Sequence, residues 1–166
     1  VETSLDAGAS RVRVEYDDRG ATRILVADDG WGIAEDEVEL ALTRHATSKI
    51  RSADDLGAIA TLGFRGEALP SIASVSHFLL RTRPRSAAAG TEVRVNGGTV
   101  ASVSETASAV GTTIEVQDLF YNLPARRKFL KSDGAESAQI SRITTQLALA
   151  YPEIGFTLTN AGRRVL

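Results

Sequence analysis

Val12, Val14 and Tyr16 alternate with charged neighbours, the period of a half-buried strand. Asp17-Asp18-Arg19-Gly20 supplies turn chemistry, and Arg23 to Ala27 reads as the partner strand. Ahead of this pair, Val1 to Ala7 reads as the end of a helix stopped by Gly8. Glu35 to Thr43 is helical, with Val38 and Leu42 on one face and acids in its first turn. Arg44 to Gly63 is long, polar and rich in small residues, with a short helix expected around Asp54 to Ile59. Glu67 to Val75 reads as a further helix. Strands follow at Phe78-Leu79-Leu80, Val93 to Val95, Val100 to Val103 and Thr112 to Val116. Asn96-Gly97-Gly98 between the second and third of these is a hairpin signal. Pro124 opens a helix. Ser137 to Ala150 is a long helix with Ile140, Ile143, Leu147 and Ala150 assigned to one face. Ile154 to Leu158 is a strand turned by Asn160-Ala161-Gly162. This order predicts a two-layer α/β (α+β) sandwich, with helices on one face of a mixed, largely antiparallel sheet.

The chain has 166 residues, 43% apolar and 24% charged, enough for one domain over 1–166. It begins at Val1 rather than Met, and Arg163 to Leu166 reads as a strand stopped partway. The expectation is a domain cut from a longer protein at its N-terminus and at its C-terminus. There are no cysteines, which excludes disulfides and thiolate chemistry and is compatible with a reducing cytoplasm. Two histidines, His45 and His77, do not make a multi-His zinc site. A net charge of −2 means that any DNA contact must come from a local patch. No apolar run approaches the roughly 18 residues of a membrane helix.

Several segments have chemical potential. Asp28-Asp29-Gly30-Trp31-Gly32-Ile33 closes a hydrophobic strand. A carboxylate there can accept a hydrogen bond from an exocyclic amine, and Gly30 and Gly32 let a ring approach the backbone; alone, the segment reads better as a turn with an Asx cap. Gly63-Phe64-Arg65-Gly66-Glu67 precedes a helix, where backbone N–H groups bind anions; an ordinary glycine-containing loop explains it equally. Thr47-Ser48-Lys49 suits a loop closing over phosphates, and reads better, in isolation, as a solvated loop. Thr112, in Gly111-Thr112-Thr113, can offer a hydroxyl to a base edge, but threonine is common in strands. Arg126-Arg127-Lys128 can meet DNA phosphates or a partner, against the plainer reading of a solvated helix face. No GxxxxGK[ST] loop occurs, so any ATP site has another architecture.

In one order, SLDAGA at 4–9, DDGWGI at 28–33, RHATSKI at 44–50, GFRGEAL at 63–69, GTTIEV at 111–116 and the run from Phe120 to Leu130 resemble the MutL family of DNA mismatch repair proteins. That family lies in the GHKL superfamily, with DNA gyrase, histidine kinases and a heat-shock chaperone. The likeness covers nearly the whole chain, and RHATSKI, GFRGEAL and FYNLPARRKFL are its most specific parts. It implies the GHKL (Bergerat) fold, with ATP and Mg2+ as cofactors. Asp28 would receive the adenine amino group with help from Thr112, and Gly30, Gly32 and Ile33 would line the base. Residues 44–63 would form the lid. Thr47, Ser48, Leu62, Gly63, Phe64, Arg65, Gly66 and Glu67 would lie at the phosphates.

The family also uses a glutamate general base on the first helix and, four residues later, a metal-binding asparagine. The base position falls two residues before Val1, so the resemblance implies no catalytic residue within the chain. Thr3 occupies the asparagine position, and Glu2, its neighbour, points to a different helix face. A hydroxyl can ligate magnesium, but it is shorter than a carboxamide, which implies weakened metal binding. The resemblance further implies slow ATP hydrolysis, a homodimer of the full-length protein, and partners that include a MutS-type mismatch recognition protein and a downstream nuclease and helicase. DNA contact would be weak and mostly through parts outside the chain. A nucleotide-binding scaffold without hydrolysis is the alternative that Thr3 raises, and another GHKL ATPase is the other.

Overall fold

In the computed structural model the described residues are 1–17, 22–42, 68–130 and 133–166. The expectations placed on the Asp17–Gly20 turn beyond Asp17, on the lid loop, and on Thr47, Ser48 and Leu62 to Glu67 lie outside them. The chain runs through α1 (Glu2–Asp6), β1 (Arg11–Asp17), β2 (Arg23–Asp28), a 3-10 turn (Glu35–Glu37) continued by α2 (Val38–Ala41), and α3 (Ala68–Ala73). It goes on through β3 (His77–Arg83), β4 (Gly90–Asn96), β5 (Thr99–Thr106), β6 (Gly111–Gln117), α4 (Pro124–Arg127), α5 (Asp133–Ala150), β7 (Gly155–Asn160) and β8 (Arg163–Arg164).

The strands form one eight-stranded sheet in the order β5-β4-β3-β6-β2-β1-β7-β8. Every neighbouring pair is antiparallel except β1 with β7. A parallel pair needs the chain to return to the same end of the sheet, and the 18 residues of α5 lead directly into β7. The β4–β5 hairpin turns on Gly97 and Gly98, at φ +56° and +89°. Two successive positive φ values make the primed turn whose twist matches the strands.

Strand alternation divides the sheet into two faces. Val12, Val14 and Tyr16 are buried on the face that meets the helices, while Arg11 and Arg13 are exposed on the other. Cross-strand register extends this into rows. Val14, Val26, Ile114, Leu80 and Val93 form an apolar row across five strands. Val38, Ala73 and Phe78 pack with Leu80 in one core cluster, and Ala9, Val12 and Leu158 with Tyr16 in a second. Leu80 and Leu158 are both 0% exposed, and burial of a leucine side chain stabilises by roughly 1.5–3 kcal/mol.

One expectation needs correction. Ile143, assigned to the core face of α5, is 45% exposed, and Ala150 is exposed too. The inward face instead carries Ile140, Thr144 and Leu147, the i, i+4, i+7 set of a helical stripe. Thr144 is 5% exposed, and its hydroxyl donates to the Ile140 carbonyl at 2.9 Å. That bond satisfies the one polar group of a side chain otherwise able to pack like valine.

Candidate functional site

Two residues beyond Val26 of that apolar row, at the end of β2, the same face turns polar. Register pairs Asp28 with Thr112, Thr112 with Thr82, and Thr82 with Thr91. Thr82, Thr91 and Thr112 are all buried. Asp28 ends β2, and its Oδ1 accepts from the N–H of Gly30 at 2.9 Å and from the N–H of Thr112 at 3.2 Å. The first of these bonds is an Asx turn. Among the described residues, Oδ2 accepts no hydrogen bond. The turn reading of Asp28 is thus met by Oδ1 alone. Ile33, the predicted wall of the base pocket, offers its N–H to Thr82 Oγ1 at 2.9 Å and packs against the first core cluster.

Glycine is needed where this turn meets α1. A Cβ on Gly30 would stand 2.6 Å from the Ala7 carbonyl. Gly32, at φ +74°, would bring a Cβ within 2.4 Å of the Arg83 carbonyl. The Trp31 N–H donates to the Ala7 carbonyl at 3.0 Å, so the turn is tied to the end of α1. Thr3, one helical turn before Ala7, shares that face of α1. A hydroxyl can in general supply one neutral oxygen ligand to a cation. The described residues hold no group of three or more His, Cys, Asp or Glu able to bind a metal.

Asp29 was not singled out in the sequence, yet it anchors the site. Its Oδ1 accepts from the N–H groups of Ser10 and Arg11 at 2.8 and 2.9 Å, and its Oδ2 from the Ser10 hydroxyl at 2.5 Å. Desolvation pulls the Asp29 carboxyl upward, but the bonds from the Ser10 hydroxyl and the backbone of Arg11 and Ser10 outweigh it and hold the group below its ordinary value. A carboxylate depressed on folding stabilises above its unfolded value and loses that contribution as pH falls through its folded value. Asp29→Asn is therefore expected to flatten the loss of thermal stability between about pH 5 and pH 3. Melting curves against pH would check this, and wild-type and variant profiles that stay parallel would contradict it.

Thr82 was the other residue missed. It is 0% exposed, 30 residues from Thr112 in sequence, and its Oγ1 lies 2.8 Å from Thr112 Oγ1. The Arg126-Arg127-Lys128 cluster lies elsewhere, on the exposed α4. The chain before it is fixed to the sheet: Phe120 N–H donates to the Val75 carbonyl at 2.7 Å, and Tyr121 stacks on His77 at 4.1 Å between ring centroids. The Arg126 guanidinium lies 5.2 Å over the Phe120 ring, a cation–π contact that gives this cation a structural role. A cavity of about 680 Å³ is lined by Asp28, Asp29, Gly111 and Thr112 together with Arg11 and Arg81. No helix among the described residues is long and apolar enough to cross a membrane.

The geometry can be set beside known proteins. Residues 1–120 match the family described as histidine kinase-, DNA gyrase B-, and HSP90-like ATPase. The chain belongs to that family. Within it, the chain is a homologue of the MutL mismatch repair proteins. It is 51% identical over all 166 residues to the DNA mismatch repair protein MutL of Anaeromyxobacter dehalogenans (strain 2CP-C) and 53% identical to that of Desulforamulus reducens. The chain spans 27% and 26% of those two relatives, about a quarter of each. The structure of the Aquifex aeolicus MutL ATPase domain complexed with ADP superposes with a TM-score of 0.81 at 37% identity, covering 99% of this chain and 58% of that one. The 43K ATPase domain of Thermus thermophilus gyrase B shares the fold, with a TM-score of 0.63 at 15% identity over 99% of this chain and 42% of its own.

Proposed function

We propose that this domain binds ATP in the intact protein through Asp28, and that nucleotide binding switches a mismatch repair complex. The Oδ2 of Asp28, which accepts no hydrogen bond among the described residues and belongs to the polar row with Thr112, is the observation that carries the reading. Asp28 receives the exocyclic amine of adenine, Thr112 supports the same edge, and Ile33 lines the base. Gly30 and Gly32 let the ring approach the backbone. Thr47, Ser48 and the stretch from Leu62 through Gly63, Phe64, Arg65 and Gly66 to Glu67 are proposed to serve the phosphates and the lid. The solved Aquifex aeolicus relative is complexed with ADP, which supports the class of ligand.

Binding free energy is the useful output. A ligand shifts a conformational equilibrium only by its differential affinity for the two states, so ATP bound more tightly by an associated form drives homodimeric N-terminal association. Slow hydrolysis with magnesium then resets it. In the intact protein this couples a MutS-type mismatch recognition protein to a downstream nuclease and helicase, in a cytoplasmic, DNA-associated setting. Arg127 and Lys128, with Arg126 held over Phe120, are offered as a weak contact for DNA or a partner.

A second reading rests on Thr3. With a hydroxyl in place of a carboxamide, the domain binds nucleotide but turns over little, and acts as a scaffold. Steady-state turnover and ATP binding by the intact protein separate the two. Thr3→Asn is expected to raise magnesium-dependent hydrolysis by roughly tenfold or more, on the roughly 10–100-fold scale of changes around a metal. Tight binding with background turnover in both forms selects the scaffold. Failure of the intact protein to bind ATP at all overturns both readings.

A further inference from the structure

Thr82 carries no role in the reading above, yet its hydroxyl is at the centre of the polar row. It accepts from the Ile33 N–H at 2.9 Å, lies 2.8 Å from Thr112 Oγ1 and 3.2 Å from the Gly111 carbonyl oxygen. We propose that Thr82 is a positioning residue that sets which purines the pocket takes. The inference rests on the assignment of Asp28 and Thr112 to the base.

A threonine hydroxyl has one proton and two lone pairs. The Ile33 N–H occupies one lone pair of Thr82. The Gly111 carbonyl can only accept, and at 3.2 Å it offers an acceptor for the Thr82 proton. With the proton on that carbonyl, the remaining lone pair of Thr82 faces Thr112, whose hydroxyl donates into it; either hydroxyl of the pair can donate, and this is the direction proposed. At 0% exposure Thr82 has no water to alter this count.

The consequence falls on Thr112. Its proton is turned inward to Thr82, so toward a ligand its hydroxyl presents lone pairs alone. Its strand neighbour in the row, Asp28, presents the Oδ2 of a carboxylate, also an acceptor. A purine with an amino group at the six position brings donors to this pair. A purine with a carbonyl there sets an acceptor against acceptors, leaving buried polar groups unpaired. Without the Thr82 hydroxyl, the Thr112 proton is free to turn outward, and the pocket can then donate to a six-oxo base.

The test compares ATP with inosine triphosphate, its six-oxo counterpart, by calorimetric titration of the intact protein. Wild type is expected to prefer ATP by roughly tenfold or more, the scale of one well-placed hydrogen bond. Thr82→Val keeps the shape and removes the hydroxyl, and is expected to lower that ratio severalfold. Thr82→Ser restores the hydroxyl and should restore the ratio. Loss of stability alone would weaken both ligands together, so the ratio is the readout, with thermal melts confirming that each variant is folded. Should Thr82→Val not fold, Thr82→Ala gives the same comparison in a smaller side chain. A ratio unchanged in the folded hydroxyl-free variant overturns the inference, as does a ratio lost in folded Thr82→Ser. If Asp28→Asn lowers the ratio and Thr82→Val does not, the adenine assignment stands and the role of Thr82 alone falls. If wild type shows no preference for ATP, both fall.

Discussion

Asp28→Asn in the intact protein is expected to weaken ATP binding by about 1–3 kcal/mol, roughly 5–150-fold in affinity, while the domain stays folded. The two carboxylate oxygens have different work. Oδ1 closes the turn through the N–H of Gly30 and joins β2 to β6 through the N–H of Thr112. An asparagine carbonyl can accept both bonds, so the turn survives. Oδ2 becomes an amide N–H2, a donor facing the amine donor of adenine. An attractive charged hydrogen bond is thereby replaced by two donors in opposition, which is why the substitution acts on binding rather than folding. Titration calorimetry with melting curves on the same preparation checks both halves. Near-equal ATP affinity would sink the adenine assignment, and a collapsed melting temperature would show that Asp28 serves the fold first.

A second substitution should act on the fold and carry the site with it. Gly111 opens β6 at φ +122°, and a Cβ there would stand 2.1 Å from the Asp28 carbonyl oxygen and 3.0 Å from the Asp29 Cα. Backbone strain at such a φ costs about 1–3 kcal/mol. The clash adds to it, because the opposing atoms are backbone inside a paired strand and cannot rotate aside. Gly111→Ala is expected to lose about 3 kcal/mol or more, a fall in melting temperature on the order of 10 °C for a domain of this size. Nucleotide affinity should fall as well, since the backbone that must move is that of Asp28 and Asp29. Gly134, in α5, is the control: nothing lies within 4 Å of its added Cβ. Alanine there is expected to be neutral or stabilising, because helical glycine costs roughly 0.5–1 kcal/mol relative to alanine. Equal melting temperatures for Gly111→Ala and Gly134→Ala would contradict the reading.

What the sequence disclosed follows from the range of the interactions. Alternation at Val12, Val14 and Tyr16, the Gly97-Gly98 turn and Pro124 are local signals, and each element appears where it was expected. The turn at Asp28 was legible because an aspartate two residues before a glycine is a local Asx signal, while its adenine role came only with the resemblance. Thr82 was not, because threonine is ordinary in a strand, and its meaning comes from a register that sets it beside Thr112, 30 residues away. Asp29 was hidden for the same reason: its partner Ser10 is 19 residues earlier, across a hairpin. In α5 the apolar pattern favoured Ile143 over Thr144, and a hydroxyl bonded within its own helix reversed the choice. The role of Arg126-Arg127-Lys128 was open between a contact and a structural pairing, and the ring of Phe120 beneath Arg126 supplies the structural half.

A structure of the intact protein with ADP bound bears most directly on the central claim. The expected result is the exocyclic amine of adenine within about 3 Å of Asp28 Oδ2, with Thr112 at the same edge of the base and Ile33 against the ring. An adenine seated away from Asp28, or one whose amine is held by other groups while Oδ2 faces solvent, would contradict it.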